Sequence, residues 1–551
     1  MWTGARLVSM YRVVPRWVIR HEDRSYSARS RPKRVGKGGD TAPNKPDEAS
    51  RDTQLPKAVR SASTNDLSAD EYARLVKRCT WYVIAGALIF ALLYAGLAWL
   101  RYRTYIYGGR FDLGNMVQAV YNTAHGRVLE TTSADFGAHQ VSRLASHVDP
   151  IIAAFAIPWL VWPSPVMLLV LQAAIVATGA WPAYRLGAKV TRDPRAGALL
   201  AGAFLLYPAL GFLVLDEFHP VALATPLLLF AFLYMEENRW VTAVPFLLLA
   251  ALCKEDIPLV VAAMGAYFAL RKRSWWPLLL TAAALAYFVF ALRIVIPHYN
   301  AGGTPFADRY SAYGDGAGEM VRTAAARPEK LLADVFGASN AGYVLKLLWP
   351  FVFAPLLSPL TLLISAPELL LNALSAKNSQ RSIELHYTAA EIPFLYAAAT
   401  LGLMRLRGWL GAASSRISTV HLALVLLIAC LLGNYLLGPL PFPTPAAAYS
   451  SRDYRRPPHA VAMDKATSMI PDRVVVSVTN NAGSVLSARP RVLTFPAYEG
   501  AEYVLVDQAK PDTFDVFDPQ AYTAALHALE RDGNYRSVFA EDGIVVFERI
   551  H

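Results

Sequence analysis

Five short segments of this chain concentrate acidic, basic and histidine side chains that could do chemistry. In the first, residues 107–130 (YGGRFDLGNMVQAVYNTAHGRVLE), Arg110 and Asp112 precede a stretch of helical character. An aspartate directly before a helix often accepts backbone N–H bonds as an N-cap. The same carboxylate could act as a general base, because partial burial can bring the pKa of a carboxyl group toward neutrality. The residues alone leave both interpretations of Asp112 open.

The second segment, residues 142–150 (SRLASHVDP), places Arg143, His147 and Asp149 at a spacing that fits a helix. One interpretation is interfacial anchoring, with a helix that begins at Asp149 and the proline after it. The other is an Arg/His grip on a phosphate group beside a carboxylate. The sequence supports both equally.

The third segment, residues 215–220 (LDEFHP), holds Asp216, Glu217 and His219 between two apolar runs. These side chains could cap helices in water, or they could bind a metal ion or transfer protons. Two acids and a histidine within four residues exceed what a turn needs, which favours a functional role.

The fourth segment, residues 253–258 (CKEDIP), contains Lys254, Glu255 and Asp256. The lysine could pair with a neighbouring carboxylate and only close a turn. Alternatively, its ammonium group could bind the phosphate of a lipid.

The fifth segment, residues 375–393 (SAKNSQRSIELHYTAAEIP), contains Arg381, Glu384 and His386 ahead of another apolar run. A histidine and an aromatic residue at this place are often interfacial anchors. If all five segments meet on one face, they form a coherent polar site.

The elements that must position these segments are apolar. Of the 551 residues, 54% are hydrophobic and 17% are charged, and the mean hydropathy is +0.29. Apolar runs of about 20 residues, each long enough to cross a ~30 Å hydrocarbon core, recur between residues 81 and 440. The composition excludes a soluble enzyme, a fibrous protein and a mostly disordered chain. It predicts a mainly α, polytopic helical membrane protein with about 11–13 spans.

Loop charges predict the orientation of these spans. We predict eleven full spans, at residues 80–101, 166–186, 196–215, 220–235, 240–253, 257–271, 275–296, 342–357, 359–374, 388–404 and 419–438. The stretch 148–163 is apolar but short, and we leave it out of the count. With the N-terminus inside, the Arg/Lys-rich short loops then fall in the cytoplasm, as the positive-inside rule requires. All five polar segments fall on the outer face, together with the outer loops 102–147 and 297–341.

The two ends of the chain differ from the membrane body. Residues 1–79 carry a net charge of +8 and are rich in Ser, Arg, Lys, Pro and Gly, which predicts a largely disordered cytoplasmic tail. This tail and anionic lipids account for the basic excess, so we expect no nucleic-acid partner. Residues 441–551 carry a net charge of −3 and alternate strand-like runs, at 473–479, 491–495, 502–507 and 544–548, with a helix-like stretch at 520–531. They predict a small extracytoplasmic α/β domain.

Several motifs resemble a known family. FDLGNMVQAVYNTAHGR, SHVDPI, DEFHPVALATPLLLFAF, KEDI, LLSPLTLL and IELHYTAAEIPF closely resemble the bacterial membrane-protein family called domain of unknown function 2079. The resemblance covers about residues 100–410 and continues more loosely to the end. That family is similar to the glycosyltransferase-C superfamily, whose members take a sugar from a polyprenyl-phosphate donor at the outer face of the membrane.

The resemblance implies a role for Asp112. Members of the superfamily carry an acidic catalytic residue in the first outer loop, soon after the first transmembrane helix, and Asp112 occupies the corresponding place. These relatives commonly have an acidic pair there, whereas Asp112 has no acidic neighbour. The implied activity is inverting transfer of a sugar to an extracytoplasmic glycan, lipid or protein acceptor, with Asp112 as general base.

The other candidate residues would bind substrate. Lys254, Arg143, Arg110 and Arg381 could stabilise the departing phosphate. Glu217 and His219 could orient the acceptor or hold a divalent cation. The remaining candidates for substrate binding are His147, Asp149, Asp216, Glu255, Asp256, Glu384 and His386.

A transporter or flippase of a lipid-linked or cell-envelope substrate is the main alternative, because polar residues at span ends also suit a substrate path. Against it, the sequence has no repeated halves and no matched pair of broken helices. A non-catalytic assembly scaffold would leave the clustered acids and histidines unexplained. The sequence therefore favours the transferase.

Overall fold

The computed structural model describes residues 67–133, 139–300, 307–314, 317–411, 417–441, 449–516 and 518–550. Most of the predicted N-terminal tail, up to residue 66, lies outside the described residues. All the described residues belong to one compact unit.

Four helices in the described ranges are long and apolar enough to cross a membrane. They are Ala69–Tyr102, Pro165–Thr191, Leu278–Tyr299 and Thr419–Leu437. Two bent pairs meet the same criteria if each counts as one span: Pro194–Leu205 with Pro208–Leu215, bent by 47°, and Pro328–Val335 with Ala338–Phe351, bent by 55°. The predicted class, a mainly helical polytopic membrane protein, is confirmed.

The remaining predicted spans correspond to shorter helices or to helices with charged ends. Their bounds are Pro220–Glu236, Trp240–Ala251, Ile257–Lys272, Pro359–Leu374 and Ile392–Leu410. A helix of 12 residues is about 18 Å long, less than the ~30 Å hydrocarbon core. The four to six helices that meet the criteria are therefore fewer than the eleven predicted spans. Proline at the first or second helical position fixes where Pro208–Leu215 and Ile257–Lys272 begin, since proline suits the first turn but not the interior of a helix.

The ambiguous apolar stretch 148–163 forms a short helix, Pro150–Trp159, which begins with a 3₁₀ turn. Its ten residues span about 15–20 Å. It is too short to cross a membrane as a single helix, which is consistent with leaving it out of the span count.

Small residues let the helices of the body approach closely. A Cβ added at Gly187 would lie 3.1 Å from the Cα of Gly197, between the helices Ala180–Thr191 and Pro194–Leu205. A Cβ added at Gly402 would lie 2.1 Å from the Ala354 carbonyl oxygen. Such contacts are typical of membrane helices, in which close van der Waals packing replaces the hydrophobic driving force of water.

The polar segments lie between these helices. Residues Arg110–Gly114 form one π-helical turn, followed by the helix Asn115–Ala124. Two short antiparallel strands follow, β1 (Glu130–Thr132) and β2 (Gln140–Ser142).

The C-terminal region forms a five-stranded sheet with the order β4-β3-β5-β7-β6. Its strands are β3 (Val476–Val478), β4 (Val492–Thr494), β5 (Tyr503–Asp507), β6 (Tyr535–Glu541) and β7 (Ile544–Arg549). Strand β3 is parallel to β4 and β5, whereas β7 is antiparallel to β5 and β6. Helix Pro458–Ser468 packs on one face through Met463, and helix Pro519–Arg531 packs on the other through Tyr522 and Leu529.

The C-terminal region contacts the first polar segment and the residues just before it through buried and partly buried hydrogen bonds. The Arg110 guanidinium donates to the Val492 carbonyl oxygen at 3.2 Å, and the Phe111 N–H donates to Asn480 Oδ1 at 3.1 Å. The Tyr105 hydroxyl donates to Asp464 Oδ1 at 2.8 Å. The sheet therefore helps to fix the backbone that carries Asp112.

Candidate functional site

A cavity of about 1220 Å³ collects most of the polar segments. Eight of the predicted site residues line it: Asp112, Arg143, His147, Asp149, Asp216, His219, Lys254 and His386. They come from all five segments. The other six candidates do not line this cavity: Arg110, Glu217, Glu255, Asp256, Arg381 and Glu384. Each of the five segments thus contributes at least one side chain to this cavity.

Asp112 projects from the π-helical turn with 51% of its side chain exposed. The helix Asn115–Ala124 that follows is preceded by Gly114, and neither helix start has a side-chain capping bond. The N-cap interpretation of Asp112 therefore does not fit this structure. Its carboxylate is instead available to a molecule in the cavity.

Glu217 holds the turn that carries Asp112. Its carboxylate accepts the Gly108 N–H and the Leu113 N–H, each at 2.8 Å. Glu217 itself has a backbone φ of +53°, a left-handed conformation that is uncommon for a non-glycine residue. The side chain does not line the cavity. Glu217 therefore fixes the backbone turn that carries Asp112.

His219 faces Asp112 from the neighbouring turn. Its Nε2 lies 3.7 Å from Asp112 Oδ1, and its Nδ1 lies 2.6 Å from the Asp216 carbonyl oxygen. Because a carbonyl only accepts, Nδ1 carries a proton. The backbone N–H of His219 donates to Gln172 Oε1 at 2.8 Å, which further fixes the residue.

His386 packs against His219 and binds Asp216. The two imidazole rings are stacked, with centroids 3.7 Å apart and planes inclined by 16°. Asp216 Oδ2 accepts a hydrogen bond from the backbone N–H of His386 at 2.7 Å and lies 2.9 Å from the ring nitrogen His386 Nδ1. Asp216 thus connects the third segment to the fifth.

Nearby charges and burial shift the pKa values of His219 and His386 in opposite directions. Burial would lower the pKa of His219, but the carboxylates of Asp112, Asp216 and Glu217 outweigh it and raise that pKa to about 9. Burial and the His219 charge lower the pKa of His386 to about 4, despite its bond to Asp216. Burial would raise the pKa of Asp112, but the two histidines reverse this effect and lower it. At neutral pH, Asp112 is therefore ionised and His386 is neutral.

Two ion pairs also contribute side chains to the cavity wall. Arg143 donates twice to Asp149 Oδ2, at 2.8 and 3.1 Å, and both side chains are buried. Lys254 pairs with Asp256. The predicted phosphate grip is therefore already engaged by carboxylates at Arg143 and Lys254.

Glu255 and His147 form a third contact between segments. His147 Nδ1 lies 2.9 Å from Glu255 Oε1, and the Val148 N–H donates to Glu255 Oε2 at 2.9 Å. Glu255 and Asp256 do not line the cavity themselves. They hold the second and fourth segments in place.

Arg110 is fully buried and does not line the cavity. Its guanidinium donates to Asn115 Oδ1, Gln118 Oε1 and the carbonyl oxygens of Thr132 and Val492. Arginine can make several such bonds because its planar group carries five donors. Arg110 therefore connects the first segment to the C-terminal sheet instead of meeting a phosphate.

The predicted residues Arg381 and Glu384 lie apart from the main cavity. Arg381 lines a smaller cavity of about 320 Å³ and donates to Asn378 Oδ1. Glu384 is 42% exposed and lies 3.7 Å from Lys346 Nζ. Their place in the same segment as His386 gave no indication that they would point elsewhere.

Sequence reasoning missed several residues of the cavity wall. The cations Arg309 and Lys377, the histidines His139 and His298, and the aromatic residue Phe514 all line it. Lys377 lies inside the fifth segment, and His298 follows an apolar run. Their residue types and positions could therefore have marked them as candidates for the site. Phe514 comes from the C-terminal region and stacks on Phe111 at 4.9 Å; the sequence held no signal for that contact.

The third and fifth segments contain groups that could hold a metal ion. Ligand atoms of Asp216, His219 and His386 all lie within 4.8 Å of one another. Imidazole and carboxylate together suit a divalent transition metal.

These features define a polytopic helical membrane protein with a polar cavity to which its C-terminal region contributes Phe514. The chain belongs to the family described as predicted membrane protein (DUF2079), which it matches over residues 104–546. The resemblance to that family is confirmed. The matched range includes the C-terminal sheet. Comparison with curated proteins gave no match.

Proposed function

We propose that this membrane protein is an inverting glycosyltransferase that moves a sugar from a polyprenyl-phosphate donor to an extracytoplasmic acceptor. The observation that supports this best is the half-exposed Asp112 carboxylate in a cavity that also has cationic walls. A base and a phosphate-binding region within one cavity are what a single displacement at a sugar phosphate requires.

In the proposed reaction, the acceptor hydroxyl oxygen attacks the anomeric carbon of the donor sugar. The bond from that carbon to the phosphate oxygen breaks, and polyprenyl phosphate leaves with the bonding electrons. Asp112 takes the hydroxyl proton as the new glycosidic bond forms. One displacement inverts the configuration at the anomeric carbon.

The leaving phosphate needs positive charge. Lys254 and Arg143 each have a carboxylate partner, so their net contribution is reduced. Arg309 and Lys377 add two further cations to the wall. We assign the phosphate to the part of the cavity that these four side chains line.

The acceptor would enter beside the C-terminal sheet. Phe514, which is 47% exposed, stacks on Phe111 next to Asp112. Aromatic faces pack well against the C–H faces of sugars, which suits a glycan acceptor, although a lipid or protein acceptor would meet the same base. The proposal includes a cytoplasmic N-terminus and an outer-face cavity, with membrane lipids around the helical body.

The decisive experiment is a transfer assay. Purified full-length protein in nanodiscs is incubated with radiolabelled polyprenyl-phosphate sugars and a panel of extracytoplasmic acceptors. Asp112→Asn should lower transfer by about 10²-fold or more, because general-base catalysis contributes that much. Asp472→Asn, at an exposed aspartate of the C-terminal region, is the matched control. Transfer that is unchanged in Asp112→Asn contradicts the assignment.

One observation supports the alternative of a transporter. Glu368 is buried in the helix Ala366–Leu374, and its Oε2 has no hydrogen-bond partner among the described residues. Buried acids of this kind often mark a substrate or proton path. Flux of a labelled lipid-linked sugar into proteoliposomes, without covalent transfer and abolished by Glu368→Gln, would favour the transporter.

A further inference from the structure

We propose that His219 Nε2 and Asp112 Oδ1 together bind one divalent ion of a first-row transition metal, Mn²⁺ or Zn²⁺, at the wall of the large cavity. This inference goes beyond the proposed function, because it depends on the geometry of these two side chains and needs no sugar transfer.

The separation of the two atoms fits two ligands of one ion. His219 Nε2 and Asp112 Oδ1 lie 3.7 Å apart, too far for a normal hydrogen bond. Two ligands of a tetrahedral ion, each about 2.1 Å from the metal, lie about 3.4 Å from each other. An ion between the two atoms would therefore require little movement of either side chain.

His219 is arranged as a metal-binding histidine. Its Nδ1 donates to the Asp216 carbonyl oxygen at 2.6 Å, which directs Nε2 toward Asp112. Histidine ligands usually have their second ring nitrogen fixed in this way. A metal ion that binds at Nε2 would displace the proton that this nitrogen carries at neutral pH. The side chain is only 8% exposed, and Nε2 has no hydrogen-bond partner among the described residues. A buried polar atom without a partner is costly, and an ion would satisfy it.

Asp216 and His386 support the site without themselves binding the ion. The His219 and His386 rings are stacked nearly parallel, so their in-plane lone pairs do not converge on one point. The His386 Nδ1 also already contacts Asp216 Oδ2. We therefore assign these two residues the role of fixing His219 and adding negative charge.

The remaining coordination positions face the cavity. Asp112 is half exposed, and the cavity wall around it leaves room for water or for an oxygen of a phosphate group. Imidazole nitrogen favours Mn²⁺ or Zn²⁺ over Ca²⁺ and Mg²⁺, which prefer all-oxygen sites. With two protein ligands, binding should be weak alone and stronger with inorganic phosphate present.

The test measures metal directly on the full-length protein in detergent. Electron paramagnetic resonance titration with Mn²⁺, with and without inorganic phosphate, should show one bound ion per chain. His219→Gln and Asp112→Asn should each weaken binding at least tenfold. His298→Gln, at another histidine of the same cavity, should bind Mn²⁺ like the wild type. Equal loss in all three variants, or no binding by the wild type, would overturn the proposal.

A second measurement uses only the wild-type protein, in case the variants do not fold. Mn²⁺ or Zn²⁺ should raise its thermal unfolding temperature, whereas Ca²⁺ at the same concentration should not. Equal shifts with all three ions contradict a site that contains imidazole. Neither measurement uses a sugar donor, so a failed transfer assay and a failed metal site are distinguishable.

Discussion

At the scale of single residues, the cavity depends on side chains that never reach it. Three charged residues of the five segments do not line it: Glu217, Glu255 and Arg110. Their hydrogen bonds go to backbone groups or to other side chains of the protein. Residue type therefore located the site but could not separate ligand-facing groups from the groups that hold them. That distinction depends on where each side chain points, which sequence spacing in irregular turns does not determine.

Glu217 provides a test of this positioning role. Glu217→Gln leaves one acceptor oxygen for two backbone N–H groups, and its new amide N–H₂ faces the other donor. An unsatisfied buried donor costs about 1–3 kcal/mol. We expect a lower thermal unfolding temperature and a fall in kcat with little change in the KM for the donor. Glu541→Gln, at an exposed acid of strand β6, is the control. An unchanged unfolding temperature and kcat in Glu217→Gln would contradict this role.

At the scale of elements, regular periodic patterns were predictable and irregular ones were not. Hydropathy located the apolar helices, several of which are shorter than the predicted spans or broken within them. It also located three of the five C-terminal strands at nearly their observed bounds, and β3 within a longer predicted run. Strand β6 was missed because it is an edge strand with mostly exposed, mixed side chains. Helix Pro458–Ser468 was missed because its sequence, PHAVAMDKATS, has no strong apolar stripe.

The contact between the C-terminal sheet and the first segment was also beyond prediction. It depends on two small residues, Gly109 and Gly483, that let backbones meet. A Cβ added at Gly109 would lie 2.5 Å from the Asn480 side chain, and one at Gly483 would lie 2.2 Å from Arg110 Cβ. Nothing in the sequence relates positions so far apart in the chain.

Gly483 therefore tests whether this contact holds the site together. Gly483→Ala should force Arg110 and its turn to move, at a cost of about 1–3 kcal/mol for overpacking. We expect a lower unfolding temperature and faster cleavage of the C-terminal region in limited proteolysis. Gly533→Ala, where an added Cβ has no neighbour within 4 Å, is the matched control. Equal proteolysis of the two variants would contradict a docking role for Gly483.

At the scale of the whole molecule, charge separates the two proposed sides of the membrane. The Arg/Lys-rich loops, such as residues 271–273, are predicted inside, and the cavity segments with the acidic C-terminal region are predicted outside. This orientation is part of the proposed function, because a polyprenyl-phosphate donor would be used at the outer face. The orientation can be tested without knowing any substrate.

Cysteine labelling tests the orientation directly, because the native cysteines Cys79, Cys253 and Cys430 are all buried and should give little background. Thr523→Cys, at an exposed position of the C-terminal region, should react with a membrane-impermeant maleimide in intact cells. Arg273→Cys, at an exposed position of a predicted inner loop, should react only after the membrane is permeabilised. The cysteine-containing wild type is the control for background labelling. The reverse pattern would place the cavity in the cytoplasm and exclude an outer-face donor, whereas the expected pattern leaves the transfer and metal-binding assays to decide the chemistry.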